Sequence, residues 1–386
     1  MKTILDGLRQ NMRRYGMLIA LIAIMIFFQI VTDGTLMRPV NITNLVLQNS
    51  YIIIMALGML LVIVAGQIDL SVGSVAAFIG ALAAVMMVNL DLHWTLALLG
   101  GLAAGALIGA AQGYFVAYQG IPSFIATLAG MLIFRGLTLV MLQGQSVGPF
   151  PPAFQKLSSG FIPDIFGYEG LHLTTIVLGA IFSVLLVYMD LRSRRNRIKY
   201  GFDVSSIQLF IIKNLAVVAA IMYICFLMAS YKGLPNVLII VFLLILVYTF
   251  VTTQTVVGRR IYALGGNAKA AKLSGVNTER LTFYTFANLG LLAALAGLIF
   301  AARLNVASPK AGTGFELDVI AAVFIGGASA TGGVGTVLGA VIGALVMGVM
   351  NNGMSIVGVG IDWQQAIKGF VLLLAVFFDV RNRNKA

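Results

Sequence analysis

Long uninterrupted apolar runs alternate with short polar segments along the whole chain. The runs are continuous and do not alternate residue by residue, which predicts helices and argues against strands. A helix needs roughly 20 apolar residues to cross a bilayer. By that measure twelve spans are predicted, at about 16–33, 44–65, 72–90, 95–117, 123–142, 172–190, 211–230, 236–257, 281–301, 317–331, 335–351 and 362–379. The tenth and eleventh are short and Gly-rich. The expected fold class is therefore an all-α polytopic membrane helix bundle. One transmembrane domain covers residues 1–386, with both termini cytoplasmic.

Two polar interruptions stand out. Gly66-Gln67-Ile68-Asp69-Leu70-Ser71-Val72-Gly73-Ser74 breaks an apolar stretch, and Asp69 or Ser71 can accept the free N–H groups of the next helix start. Exposed backbone at membrane depth survives only when buried in protein or lining a wet cavity. The break reads either as a solute-lining gate or as a capped turn at the cytoplasmic surface. The second interruption is Gly265-Gly266-Asn267-Ala268-Lys269-Ala270-Ala271-Lys272-Leu273-Ser274-Gly275. Asn267 is a good N-cap, Ala268 to Leu273 propagates a helix, and Gly275 is a natural stop. Lys269 and Lys272 share a face. A short capped helix between spans suits a handle gripped by another protein better than a plain connector.

Composition agrees with a lipid solvent: only 10% of residues are charged, against about 25% in soluble domains. The formal charge of +12 raises nucleic acid as a partner. The basic residues sit at span ends rather than in one patch, so that partner is set aside. Cys225 is the only cysteine and cannot form an intrachain disulfide.

Alternating the spans from an inside N-terminus puts eighteen of the 25 Lys and Arg residues inside. These include Lys2, Arg9, Arg13, Arg14, the loop from Arg192 to Lys199, Lys213, Arg259, Arg260 and Lys385. Five fall outside: Arg38, Lys156, Lys232, Arg303 and Lys310. Such a bias supports the even count. Arg135 and Lys368 fall within spans. Arg135 is expected to face the bundle interior, with Asp69 or Asp318 as partner, and Lys368 to reach the membrane surface along its stem.

Gly101, Gly105, Gly109 and Gly113 recur every four residues, as do Gly335, Gly339 and Gly343. They mark close helix contacts, static or moving, with static packing the heavier reading. His93 and His172 have no Cys or carboxylate cluster at metal spacing, so no metal site is expected. No nucleophile–base pair is recognisable, and no Gly-x-x-x-x-Gly-Lys-Ser/Thr loop occurs. The chain is therefore not expected to be an enzyme or to carry a cofactor.

Four blocks resemble one family. Gln67-Ile68-Asp69-Leu70-Ser71-Val72-Gly73-Ser74 and Tyr262-Ala263-Leu264-Gly265-Gly266-Asn267 through Val276 are two of them. The third runs from Phe315-Glu316-Leu317-Asp318 through Gly326-Gly327 and Gly332-Gly333 to Asn352-Gly353, and the fourth is Ile121-Pro122-Ser123-Phe124 with Arg135-Gly136-Leu137. Together they resemble the permease subunit of bacterial ATP-binding-cassette importers for monosaccharides, the ribose, galactose and xylose group. Three spans over 172–257, rather than one, with a basic loop at 191–213, resemble the longer xylose and multiple-monosaccharide permeases.

The resemblance implies a bacterial inner-membrane importer working by alternating access on a xylose-, galactose-, glucose- or arabinose-class sugar. It implies a second permease copy, a cytoplasmic ATPase that holds the ATP and Mg, and a periplasmic sugar-binding protein. It makes 262–280 a coupling segment, with Gly265, Gly266, Asn267, Lys269, Ala270, Ala271, Lys272 and Gly275 meeting the ATPase. Expected pathway and gate residues are Gln67, Asp69, Ser71, Asn288, Asn305, Asn351 and Asn352. Arg303, Lys310 and Glu316 are expected to dock the binding protein. The alternative is a secondary transporter driven by an ion gradient, which needs paired acidic groups deep in the spans.

Overall fold

The computed structural model describes residues 12–383 apart from 168, 169, 203 and 205. Fifteen helices follow in order: α1 Met12–Val31, α2 Pro39–Val64, α3 Val72–Ala84, α4 Trp94–Ala117, α5 Ser123–Leu142, α6 Pro152–Ser159, α7 Leu173–Lys199, α8 Ile207–Ala229, α9 Asn236–Gln254, α10 Val256–Gly266, α11 Ala268–Leu273, α12 Thr278–Leu304, α13 Phe315–Ile325, α14 Val337–Val357 and α15 Ile361–Arg383. A π-helical turn, Val85–Asn89, extends α3.

Nine helices among the described residues are long and apolar enough to cross a membrane: α2, α3 with its π turn, α4, α5, α7, α8, α9, α12 and α14. The other three expected spans differ. The apolar part of α1 is Gly16–Val31, and α15 is a 23-residue helix outside the set of nine. The expected span at 317–331 is an 11-residue helix, α13. At 1.5 Å per residue α13 is about 16 Å long, half of a hydrocarbon core of about 30 Å. The segment after it continues without helix. Its backbone is held by protein: Gly333 N–H donates to Val64 C=O at 2.8 Å, and Tyr262 O–H donates to Gly335 C=O at 2.8 Å. That is the condition under which irregular backbone is tolerated at depth.

α2 and α12 form the centre. Over their best apolar windows α2 is 83% and α12 72% buried, whereas α8 is only 11% buried. The hydrophobic core accordingly joins Ile54, Leu57, Leu60 and Val64 of α2 to Leu289, Ala293 and Leu298 of α12. α4 lies along α12 by its glycines. A Cβ on Gly109 would meet Phe286 C=O and, at 2.9 Å, the Gly290 Cα; one on Gly113 would meet Phe283 C=O at 2.8 Å. The four-residue glycine spacing is thus a backbone-to-backbone seam. The second stripe does the same between α13 and α14, where Gly339 abuts Gly326 and Gly343 abuts Ala322.

The loops sort into two ends as the charge alternation requires. Gly66, Gly265, Gly332 and Gly333 meet at one end, and Ser123 at the start of α5 bonds Ile68 there. At the other end Val147 pairs with Ala307 and Phe161 with Pro235. His172 N–H donates to Ala229 C=O at 3.0 Å. Lys2, Arg9 and Lys385, used for the orientation, lie outside the described residues. We predict that a tag inserted at Ser193 is reached by a membrane-impermeant reagent only from the cytoplasm. Labelling from the periplasmic side of intact cells would overturn the orientation.

Candidate coupling site and polar interior

The handle forms as its residues dictate. Thr255 ends α9 and caps α10, its Oγ1 accepting from Gly258 N–H at 3.1 Å. α10 buries Ile261 and Leu264 and leaves Arg259 and Arg260 exposed. Asn267 then caps α11, its Oδ1 accepting from Ala270 N–H at 3.0 Å. Gly275, at φ +81°, takes the left-handed conformation that stops the helix, and Val276 N–H closes back on Ala271 C=O at 3.1 Å. Asn277 caps α12 in turn, accepting from Arg280 N–H at 2.8 Å. Lys272 forms an ion pair with Glu279, tying α11 to the start of α12.

The eight expected coupling residues divide. Gly266, Asn267, Lys269, Ala270, Lys272 and Gly275 are exposed; Ala271 is buried. Gly265 faces inward. A Cβ there would overlap Val64 C=O and come within 2.5 Å of Gly333 N, so its role is packing. Leu273, read from sequence only as a helix former, is 90% exposed at the tip.

The break at 65–71 is exposed at Gly66 and closes inward from there, Asp69 being 3% and Ser71 0% exposed. Its backbone is satisfied by α5: Ile68 N–H donates to Ser123 Oγ at 3.2 Å and Leu70 N–H to Thr127 Oγ1 at 3.0 Å. Asp69 Oδ1 accepts from Ser71 N–H at 2.6 Å and Ser71 O–H at 2.7 Å. Gln112 donates to Ser71 Oγ at 2.8 Å. Ser123, Thr127 and Gln112 were not singled out from the sequence as holding this break. Gln67 is half-buried beside it.

The other polar candidates are spread out. Asn305 Oδ1 accepts from Phe150 N–H at 2.7 Å and fixes a loop at the far end. Asn352 and Asn41 exchange amide hydrogen bonds at 2.9 and 3.1 Å, pinning α14 to α2. Asn288 accepts from the Tyr248 hydroxyl, linking α12 to α9. These three expected pathway residues are thus held by helix or loop ties. Asn351 donates to Asp318 Oδ2 at 3.1 Å.

Asp318 is the focus of a charged cluster at the start of α13. Lys368 of α15 approaches Asp318 Oδ1 at 2.9 Å. Lys368 was expected to reach the surface alone, and it is instead bound across the bundle; its side chain is 21% and that of Asp318 6% exposed. Arg135 pairs with neither expected partner. Asp69 is occupied by Ser71, Asp318 by Lys368, and Arg135 lies within electrostatic reach of Glu316. Glu316 is 8% exposed, so it faces the bundle and not a docking partner. Lys310 is exposed and Arg303 half-buried. Two acidic residues in the first turn suit the positive end of the α13 dipole, and Asp318 forms an ion pair with Lys368. Glu316 Oε2 and an Arg135 terminal nitrogen are buried without a hydrogen-bond partner among the described residues.

Among the described residues no group of three His, Cys, Asp or Glu side chains is arranged to hold a metal ion. The apolar cavity lined by Ala76, Gly80, Gly297 and Phe315 measures about 10 Å³. That is room for one water, not for a sugar.

The family described as branched-chain amino acid transport system / permease component matches residues 41–376. The xylose transport system permease protein of Haemophilus influenzae is 40% identical over 375 residues, 97% of this chain and 98% of its own length. Its counterpart in Escherichia coli K12 is 39% identical over 382 residues, covering 99% and 95%. The ribose import permease protein of Escherichia coli K12 is 36% identical over 341 residues, covering 88% and 85%. No solved structure matches the chain.

Proposed function

The chain belongs to this family of transport-system permease components, and from that membership we propose that it is the membrane subunit of an ATP-driven importer for a pentose-class monosaccharide. It is a multi-pass inner-membrane protein. The family description names branched-chain amino acids. The relatives that match nearly end to end are named for xylose, and ribose follows at 36%. Identity along the whole length outweighs the broader description, so a sugar is the favoured cargo.

The observation that carries the reading is the exposed, doubly capped α11 with Leu273 at its tip. It is built to be held from outside the chain. A separate ATPase grips it, and movement there reaches the bundle through α10 and α12. Two copies of the permease enclose the pathway between them. A sugar-binding protein delivers the cargo at the opposite end, with Lys310 on the surface it meets.

The test is reconstitution. The permease, its ATPase and its binding protein in vesicles are expected to hydrolyse ATP faster when the binding protein carries xylose. Gly266→Trp and Ala270→Trp are expected to abolish that stimulation while membrane insertion stays normal. Nothing lies within 4 Å of a Cβ on Gly266, and Ala270 is exposed, so neither change disturbs the fold. Full stimulation in both variants would remove α11 as the coupling element.

A further inference from the structure

The α7–α8 hairpin lies outside the core. Its apolar windows are only 22% and 11% buried. Beyond the apolar part, α7 carries Arg192, Arg194, Arg195, Arg197 and Lys199 in eight residues. The one carboxylate described on this stretch of α7, Asp190, is already engaged. Lys213 of α8 approaches its Oδ2 at 2.7 Å and Asn214 donates to it at 2.9 Å. Arg194 lies over the Phe210 ring at 5.0 Å. Arg192, Arg195 and Arg197 are exposed and make no ion pair among the described residues.

The chain then turns back. Gly201 sits at φ +71°, and Phe202 N–H donates to Arg197 C=O at 2.9 Å. This turn lays Tyr200 and Phe202 beside the last turns of α7. An open groove of about 400 Å³ results, lined by Met189, Arg192, Asn196, Arg197, Tyr200 and Phe202. Its lining joins apolar Met189 and the two aromatic rings to the cationic Arg192 and Arg197. Tyr200 is 70% and Phe202 64% exposed, as suits aromatic rings at a headgroup layer.

We infer that this groove binds the phosphate headgroup of an anionic phospholipid of the surrounding bilayer, the acyl chains lying against the lipid-facing side of α7. Three observations favour a lipid over a soluble anion. The groove is continuous with a lipid-exposed span, its lining is mostly apolar, and its arginines stand where juxtamembrane basic clusters meet acidic headgroups. Arg192 and Arg197 supply planar donor forks that match a phosphodiester. The inference goes beyond the transport reading and does not depend on it.

The test uses the full chain in a mild detergent, doped with phosphatidylglycerol, cardiolipin or phosphatidylcholine and examined by native mass spectrometry. The expected result is retention of the two anionic lipids over phosphatidylcholine. Each surface arginine near a headgroup contributes about 1 kcal/mol, so R192Q/R197Q lowers that retention about tenfold or more. R192K/R197K keeps most of it. R259Q/R260Q, which removes the same charge from α10, leaves it unchanged. Because Arg192 and Arg197 are exposed, the glutamine pair folds, and a single native charge envelope verifies that. Equal retention in R192Q/R197Q overturns the site, as does equal loss in R259Q/R260Q. Displacement of the lipid by millimolar inorganic phosphate reassigns the groove to a soluble anion and overturns the lipid.

Discussion

Gly109→Leu is expected to abolish a stable, monodisperse permease. The seam between α4 and α12 has no side chains to give way at this point. A Cβ on Gly109 meets the Phe286 carbonyl and the Gly290 backbone, and a Cβ on Gly290 meets Gly105 C=O and the Gly109 backbone in return. Overpacking a core where side chains can shift costs about 1–3 kcal/mol. Here two helix axes must part, so the loss exceeds that range. α12 is central to the bundle and its neighbours move with it. Gly136→Leu on α5 is the control, since nothing lies within 4 Å of a Cβ there. Fluorescence-detected size exclusion checks both. A normal peak for Gly109→Leu at normal yield would show that the seam opens readily, and the packing account would be wrong.

Asp318→Ala is expected to lower stability by about 3 kcal/mol, because it strands the Lys368 ammonium inside the bundle. It also removes the acceptor for Asn351 at 3.1 Å. Lys368→Met leaves the carboxylate unpaired and costs a similar amount. The double variant Asp318→Leu, Lys368→Met removes both charges and is expected to regain most of the loss, since a buried pair seldom outperforms an apolar one. Unfolding midpoints of the purified protein read all three. Additive losses in the double variant would mean that the two groups act separately. The ion pair would then have no part in holding α15 to α13.

The sequence made the handle legible because every signal there is local. Asn267, the alanines and Gly275 lie within nine residues, and capping chemistry works over that span. The glycine seams were legible for the same reason, although their partners were not. Spacing of four marks a face without saying what meets it. The charged cluster was hidden, since Asp318 and Lys368 are brought together by a tertiary fold that local pattern does not encode. Arg135 was placed correctly in the interior and given the wrong partners. Glu316 follows Arg303 and Lys310 in one outer stretch of sequence, which suggests a docking surface, whereas its side chain is 8% exposed. α13 escaped because hydropathy counts apolar residues and not hydrogen bonds. The run 317–331 is apolar enough to suggest a span, but the helix stops at Ile325 and Gly326-Gly327 follow. Ser123 and Thr127 escaped because hydroxyls at a helix start normally cap their own helix, and here they serve the neighbouring strand of backbone.

At the junction of Val64, Gly265 and Gly333, three main chains touch with no side chain between them. Such a joint has almost no slack. A displacement of α10 by a fraction of an ångström is handed on undamped to the end of α2 and to the irregular stretch beyond α13. If α11 is the coupling element proposed above, a stroke entering there would reach the end of α2 and the stretch beyond α13 together.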